Sequence, residues 1–488
     1  MLYQSTRSNR SVSDTHAVLE GIAPDGGLYV DPSLVSRAFD AESVVSLPYG
    51  EKASAILNHL IPGFTETNSR LGSIYASRFP HSEVTPVTKA GDYYFLELYH
   101  GPTSAFKDVA LSVLPYLITE AIRKEGLNDT VSILTATSGD TGKAALEGFH
   151  DVDGTEITVF FPDEGVSAMQ KKQMLSQEGK NVRVCAVRGN FDDCQRGVKE
   201  AFLALKDSLP GKQLSSANSI NVGRLVPQVV YYFHAYSQLM QSGRIRFGEP
   251  VDFVVPTGNF GDILAGYYAL KMGLPVGRLI CASNTNDVLF DFIETGVYNK
   301  NRPFSKTASP SMDILVSSNL ERLLFYVSGQ DTGFVSECMK SLSETGSYQV
   351  TPEILAEIQR VFAAGKCSEE ECFRAIASVW KENGYLIDTH TAVGYAVAEK
   401  YRSGLAEADE AFSHPCVILS TASPFKFPAS VLKAIGAEAT DDDFENARRL
   451  SAITGVPVPK NIASLESKPI LHKDLIDPSE LISYVKGE

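Results

Sequence analysis

The sequence predicts an α/β fold in which mainly parallel sheets are covered by helices, preceded by a separate N-terminal unit. Three observations predict it. From about residue 92, apolar strand-like runs alternate with helical patterns, the order that parallel sheets with crossover helices require. Several strand–helix joins carry glycine turns, and residues 1 to about 85 show no such alternation. At 488 residues the chain also exceeds what one hydrophobic core organises, so two or more domains are expected.

The elements follow in order. A "PDGG" turn at 24–27 and the helical pattern "EKASAILNHLI" mark the N-terminal unit. The run Tyr93, Tyr94, Phe95, Leu96, Leu98 reads as a strand that Gly101 and Pro102 end. Thr103 or Ser104 is expected to cap the next helix, in which Phe106, Val109, Ala110, Val113, Leu114 and Leu117 recur at helical spacing. Then come "VSILTA", a glycine turn and "KAALEGF"; "EITVFFP" and a helix from Ser167; and "NVRVCAV" followed by "FDDCQRGVKEAFLAL". A second set holds "VDFVVPTG", "DILAGYYALKMG" and "RLICASN". The interval 296–375 is rich in polar residues and breakers and reads as inserted loops and helices. The strand-like "PCVILSTASPF" (415–425) is expected to rejoin the sheet, and the acidic end from "TDDDFENARR" onward to lie at the surface. There is no internal repeat.

A net charge of −15 argues against a nucleic-acid partner or an anionic membrane surface. No segment reaches the length of a membrane span, and the first residues lack the apolar core of a signal peptide, so a cytoplasmic location is expected. Seven scattered cysteines (185, 194, 281, 338, 367, 372, 416) read as free thiols. Cys367 and Cys372 lie close together, but nothing at ligand spacing completes a metal site, and no metal is expected.

Lys107 is an odd residue for the first turn of a buried helix. The macrodipole is positive there, and apolar neighbours disfavour an ammonium further. A depressed lysine pKa leaves more free amine, the form that condenses with a carbonyl. The alternative is an exposed lysine without a role.

"SILTATSGDTGKAA" (132–145) and "VVPTGNFGDILAG" (254–266) each place a glycine turn between an apolar strand and a helix, where backbone N–H groups converge on an anion. The plainer reading is a βα turn that uses glycine for its dihedral freedom. Neither matches the Walker A or G-x-G-x-x-G pattern, so nucleotide binding lacks support. In "SSANSINVGRLVPQ", residues Ser216, Asn218, Ser219, Asn221 and Arg224 gather donors around one cation, which suits a phosphate dianion; a helix-capping loop is the alternative. Together these features point to a small substrate with several anionic groups and to an amine that reacts with a carbonyl.

The motifs "HGPTSAFKD", "TATSGDTG", "SANSINVGRL", "PTGNFGD" and "STASPFKF", in this order after "APDGGLYV", resemble the threonine synthase family of pyridoxal-phosphate enzymes, of the tryptophan-synthase-β-like fold (fold type II). The resemblance covers most of the chain. It implies two open, mainly parallel sheets flanked by helices plus an N-terminal domain. The domains would be 1–88, 89–235 with the lysine and the SGDTG loop, and 236–488 with the GNFGD loop and the STASP segment, interleaved in sequence. It implies pyridoxal 5'-phosphate attached to Lys107, its phosphate held by Gly258, Asn259, Phe260, Gly261 and Asp262, and Thr421 at the pyridine nitrogen. Thr137, Ser138, Asp140 and Thr141 would face the substrate carboxylate and the cofactor's ring oxygen, and Asn218, Ser219, Asn221 and Arg224 the substrate phosphate.

The implied reaction is γ-elimination of phosphate from O-phospho-L-homoserine and β-addition of water to give L-threonine, the last step of threonine biosynthesis, in a monomer or homodimer. The alternatives are a phospho-lyase that releases 2-oxobutyrate, or a related threonine/serine dehydratase. Many family members read "TAHPAKF", with histidine where this chain has Ser423, which changes the surroundings of Thr421. His100 and His390 are given structural roles by default, His390 being the better functional candidate.

Overall fold

The computed structural model describes residues 1–488 apart from 138, 164, 165, 190, 206, 207, 408–413 and 488, and apart from the side chains of 192, 203, 406 and 407. The N-terminal unit opens with a small antiparallel sheet of β1 (Leu2–Ser5), β2 (Ser11–Ser13) and β3 (Tyr29–Val30). In its helix Tyr49–Leu60, the apolar positions Ala53, Ile56, Leu57 and Leu60 are fully buried.

Lys52 lies on the same buried face, with Nζ 3.3 Å from His234 Nδ1, while His234 Nε2 stands 3.2 Å from Glu83. Burial pushes the Lys52 amine down to about 7 from 10.5. Between those values the unfolded chain carries a proton that the folded chain lacks. Stability is therefore expected to rise with pH across that window, and Lys52→Met to stabilise the protein by about 1–3 kcal/mol at pH 7, read by denaturant unfolding.

A hairpin follows, β4 (Val87–Ala90) with β5 (Tyr93–Glu97), antiparallel across Gly91 at φ +59°. The next four strands are parallel neighbours with helices between them: β6 (Thr130–Ala136), β7 (Thr155–Pro162), β8 (Val182–Val187) and β9 (Lys212–Ser216). The expected helix from Ser167 is present at Ala168–Leu175, with Ser167 Oγ accepting from the Gln170 N–H. The second set supplies β10 (Val251–Pro256) and β11 (Val276–Ser283). The interval 296–375 holds helices and loops as expected, and also a hairpin of β12 (Val297–Asn299) with β13 (Ser347–Gln349), and β14 (Phe362–Lys366). Last come β15 (Cys416–Ser420) and β16 (Asp474–Ile476).

Two larger sheets result, ordered β14-β11-β10-β15-β5-β4 and β16-β8-β7-β6-β9. Every pairing in them is parallel except β4 with β5. The late strand β15 sits between β10 and β5, buried at every position, as a continuous apolar run covered on both faces should be. Sheet membership crosses the boundaries expected from the sequence: β5 lies with β10 and β15, and β16 pairs with β8.

The C-terminal end departs from its expected surface role. After β16, the helix Leu481–Lys486 buries Leu481 and Val485 against the five-stranded sheet. Two apolar positions in an acidic stretch are enough, because they meet a core that already exists.

The helix expected to run on from Phe106 is broken. It spans Lys107–Leu111, and a second helix spans Leu114–Lys124 with Pro115 in its first turn. A proline ring clashes with the carbonyl four residues earlier, here that of Leu111. That carbonyl points at Gly148, where a Cβ would stand 2.4 Å from the Leu111 oxygen. Gly148→Ala is expected to cost about 1–3 kcal/mol of stability, measured as a lower denaturation midpoint, because the backbone contact leaves no room.

Among the described residues no helix is long and apolar enough to cross a membrane, and no cluster of His, Cys, Asp and Glu is placed to hold a metal ion. All seven cysteines are free and buried.

Candidate active site

The predicted loops follow the C-terminal ends of β5, β6, β9, β10 and β15, the edge where parallel α/β sheets bind ligands. The loop after β5 is held by its own helix. Neither Thr103 nor Ser104 caps that helix; Phe106 occupies the cap position without a side-chain bond. Asp108 reaches back instead, accepting from the Thr103 N–H at 2.8 Å and from its hydroxyl at 2.6 Å. Gly101 permits this, since a Cβ there would stand 2.5 Å from the Asp108 Cβ.

The segment 104–106 then pairs with the loop after β15. Phe106 N–H donates to the Thr421 carbonyl at 2.8 Å, and Ser423 N–H to the Ser104 carbonyl at 3.1 Å. Thr421 and Lys107 are neighbours for that reason. Ser423 accepts from the Phe425 N–H through its hydroxyl and so caps the short 3-10 turn Pro424–Lys426.

Lys107 Nζ stands 3.9 Å from Asp140 Oδ2 and 4.6 Å from the centre of the Phe106 ring. Burial lowers its pKa to about 8; Asp140 opposes the shift, and the cations Lys426 and Arg224 add to it. The depression expected from the sequence is present, with burial as its largest cause, and two cations that the sequence did not place there, Lys426 and Arg224, add to it.

Asp140 opens the helix Asp140–Phe149 behind Gly139, at φ +144°. One of its oxygens is ion-paired with Lys426 and accepts from Gln170 Nε2 at 2.9 Å; the other accepts from Ser311 Oγ at 3.3 Å. Burial alone would raise the Asp140 pKa, but Lys426 and Lys107 outweigh it and hold the carboxyl far below its usual range. Asp140 is thus a fixed anion beside Lys107. Thr137 is turned under the helix, its oxygen accepting from the N–H groups of Gly139 and Gly142 at 2.9 Å each. Thr141 is half-buried in the first helical turn, and Ser138 lies outside the described residues.

In the loop after β9, the Asn221 side chain is engaged by backbone groups. It caps the helix Val222–Leu225, and its amide nitrogen donates to the carbonyls of Val18 and Ser216, so it braces the loop. Arg224 is 2% exposed and its Nε has no hydrogen-bond partner among the described residues; the same holds for Asn218 Oδ1. Burial lowers the Arg224 pKa to about 10, as for a cation lacking a counter-ion. Ser219 Oγ accepts from Asn319 Nδ2 at 3.1 Å, and Asn319 also donates to the Asn259 carbonyl at 3.0 Å, which ties this loop to the one after β10.

In that last loop, Phe260 takes a left-handed conformation at φ +61°, buried with its ring 5.5 Å from that of Phe362. The amides of Gly261, Asp262 and Ile263 then form the first turn of the helix Gly261–Lys271, where no intrahelical carbonyl can receive them. Gly258 lies against the neighbouring loop: a Cβ would stand 3.0 Å from the Ser311 carbonyl and 3.3 Å from Met312 Cα. The Asp262 carboxyl faces away, accepting from Tyr231 at 2.5 Å and Tyr232 at 3.2 Å. Burial raises its pKa to about 7, against the pull of both tyrosines.

Lys426, Gln170, Ser311, Asn319 and Arg322 were not singled out from the sequence. Lys426 stands inside the quoted "STASPFKF", and a lysine between two buried phenylalanines was the available signal. Arg322 is fully buried and donates to the carbonyls of Tyr29, Ser219 and Ile220, which fixes the β9 loop from behind. Asp388 Oδ2 receives His390 Nδ1–H at 2.7 Å, and Nε2 accepts from the Ser311 N–H, so this histidine holds the residue that holds Asp140. His100 is bonded to Glu97 at 2.7 Å.

A buried lysine of lowered pKa beside a turn of unreceived helix amides suits an aldehyde that carries a phosphate. Residues 80–420 match the family described as "Pyridoxal-phosphate dependent enzyme", which defines the class. Residues 2–77 match "Threonine synthase N terminus" and 391–477 "Threonine synthase, C-terminal". The chain is 41% identical over 440 residues to a threonine synthase of Pseudomonas aeruginosa, covering 89% of this chain and 90% of that one. It belongs to the threonine synthase family.

A threonine synthase structure from Brucella melitensis with PLP bound superposes with a TM-score of 0.85 at 37% identity, covering 100% of this chain and 99% of the other. Threonine synthase-like 1 of Homo sapiens is 37% identical over 481 residues, 95% of this chain, and the chain spans only 62% of that relative's length.

Proposed function

We propose that the chain converts O-phospho-L-homoserine and water to L-threonine and phosphate, with pyridoxal phosphate carried on Lys107. One observation carries the choice of substrate: Arg224, a buried guanidinium whose Nε has no partner among the described residues, close enough to Lys107 for its charge to lower the amine's pKa. A dianionic leaving group is the partner that such a cation suits. The cofactor, when bound, supplies the electron sink that acidifies the substrate carbons next to its nitrogen.

The residues of the chain do the rest. The amides of the turn Gly258 to Asp262 and of Ile263 hold the cofactor phosphate, with Asp262 contributing its N–H while its carboxyl anchors the helix to Tyr231 and Tyr232. The Thr421 hydroxyl would hold the ring nitrogen; being neutral, it would not stabilise a pyridinium as a carboxylate does, which would temper the sink and disfavour side reactions. The Lys107 amine takes the proton from the substrate's Cα and returns it, a task suited to a pKa near 8. Asn218, Ser219 and Arg224 receive the departing phosphate, and Asn221 and Thr137 keep the two loops in shape. Thr141 and the amides of its turn take the substrate carboxylate, with Asp140 as a fixed charge beside Lys107. We read residues 1–88 as the N-terminal domain, and 89–235 and 236–488 as two further domains that exchange strands.

Incubating the protein, loaded with pyridoxal phosphate, with O-phospho-L-homoserine is expected to release threonine and phosphate in equal amounts. Release of 2-oxobutyrate and ammonia in place of threonine would overturn the assignment in favour of a phospho-lyase.

A further inference from the structure

The carboxylate of Asp140 is shared between two lysines. Lys426 takes one oxygen, and Lys107 faces the other at 3.9 Å. Lys426 is fully buried, and its amine also donates to the Thr103 carbonyl at 3.2 Å. It has little freedom: Ser423 caps the turn that presents it, and Lys426 N–H donates to the Ser423 carbonyl at 3.0 Å. Ser311 and Gln170 fix Asp140 from two further directions. The charged groups facing Lys107 are thus Asp140 from the helix Asp140–Phe149, Lys426 from its 3-10 turn, Arg224 from the helix Val222–Leu225 and Asp262 from the helix Gly261–Lys271. On its own helix, Asp108 is engaged with Thr103.

We infer that Lys426 is a positioning residue: by binding Asp140 it prevents that carboxylate from closing onto Lys107, and so sets how readily the Lys107 nitrogen gives up its proton. Without Lys426, the buried carboxylate has one cation left to neutralise and stabilises the Lys107 ammonium. With it, Asp140 stays ionised and in place, yet only part of its charge acts on Lys107. The lowered Lys107 pKa agrees with this arrangement, since Lys426 acts against the proton and Asp140 for it. The inference rests on the reading that Lys107 carries the cofactor.

The test uses the full chain in two forms. With the cofactor removed, brief acetic anhydride labelling across pH 6–10, followed by peptide mass spectrometry, reads the titration of the Lys107 amine itself. With pyridoxal phosphate restored, a visible absorbance titration reads the same nitrogen in the loaded protein. The unmodified chain is expected to titrate near 8 in the labelling experiment.

Lys426→Met is expected to move both midpoints up by about one pH unit, a tenfold loss of free amine at a fixed pH. Lys426→Arg should restore most of the difference, and Asp140→Asn should move the midpoints down. A folded Lys426→Met protein with unmoved midpoints would overturn the inference. If that variant does not fold, Asp140→Asn decides, and an unmoved or raised midpoint there overturns it. Borohydride reduction of the loaded chain keeps the two ideas apart: cofactor found on another lysine defeats the reading of Lys107, whereas cofactor on Lys107 with unmoved midpoints defeats only the role of Lys426.

Discussion

Lys107→Ala is expected to abolish turnover, by at least about 10⁴-fold, and to remove the visible absorbance of covalently held cofactor. The size follows from the two tasks assigned to one nitrogen, attachment of the cofactor and proton transfer at the substrate's Cα. Protein folding should survive, because among the described residues the amine has no close ion pair, Asp140 standing 3.9 Å away. Removing the amine also leaves Asp140 to Lys426 alone, so the buried anion keeps a partner. A near-normal melting temperature with no activity and no absorbance is the expected outcome. Residual turnover within tenfold of the unmodified enzyme would show that another group does the chemistry.

Arg224→Ala is expected to be the second largest loss, about 10²- to 10³-fold in kcat/KM for the phosphorylated substrate. The guanidinium is 2% exposed and donates to the Ala217 carbonyl, but its Nε has no partner among the described residues, so part of its hydrogen-bonding capacity is held in reserve for a ligand. Its lowered pKa has the same origin, burial without a matching anion. The loss should therefore fall on KM and on phosphate expulsion, while pyridoxal phosphate uptake and its absorbance change little. Inorganic phosphate should inhibit the unmodified enzyme competitively and the variant much less. Unchanged kinetics in the variant would move the phosphate site elsewhere.

Much of this site is legible in the sequence because its loops are local. Each is a short run after an apolar strand, so the strand–turn–helix pattern that marks Gly258 to Asp262 or Asn218 to Arg224 also marks where their amides and side chains converge. What stays hidden is contact between distant segments. Nothing near Asp140 announces that Lys426 neutralises it, and nothing near Asn259 announces that Asn319 holds its carbonyl. The first pair depends on β15 lying between β10 and β5, which brings Lys426 to the start of the site, and the second joins the loop after β10 to a segment some sixty residues later.

Residue type also leaves hidden which polar side chains serve the backbone. Asn221 and Thr137 have the chemistry of ligand-binding groups, yet both are engaged by amides or carbonyls of their own loops, because a tight turn generates unreceived backbone groups that must be satisfied first. The short strand β14 went unseen for another reason. "FAAGK" has no alternation or β-branched run, and becomes a strand because β11 offers it an edge.

The account depends most on covalent attachment of pyridoxal phosphate to one lysine. Reducing the loaded protein with borohydride, digesting it and mapping the adduct by mass spectrometry tests that attachment directly. The predicted result is a single pyridoxyl adduct on the peptide containing Lys107. An adduct on Lys426 or any other lysine, or none, would contradict it.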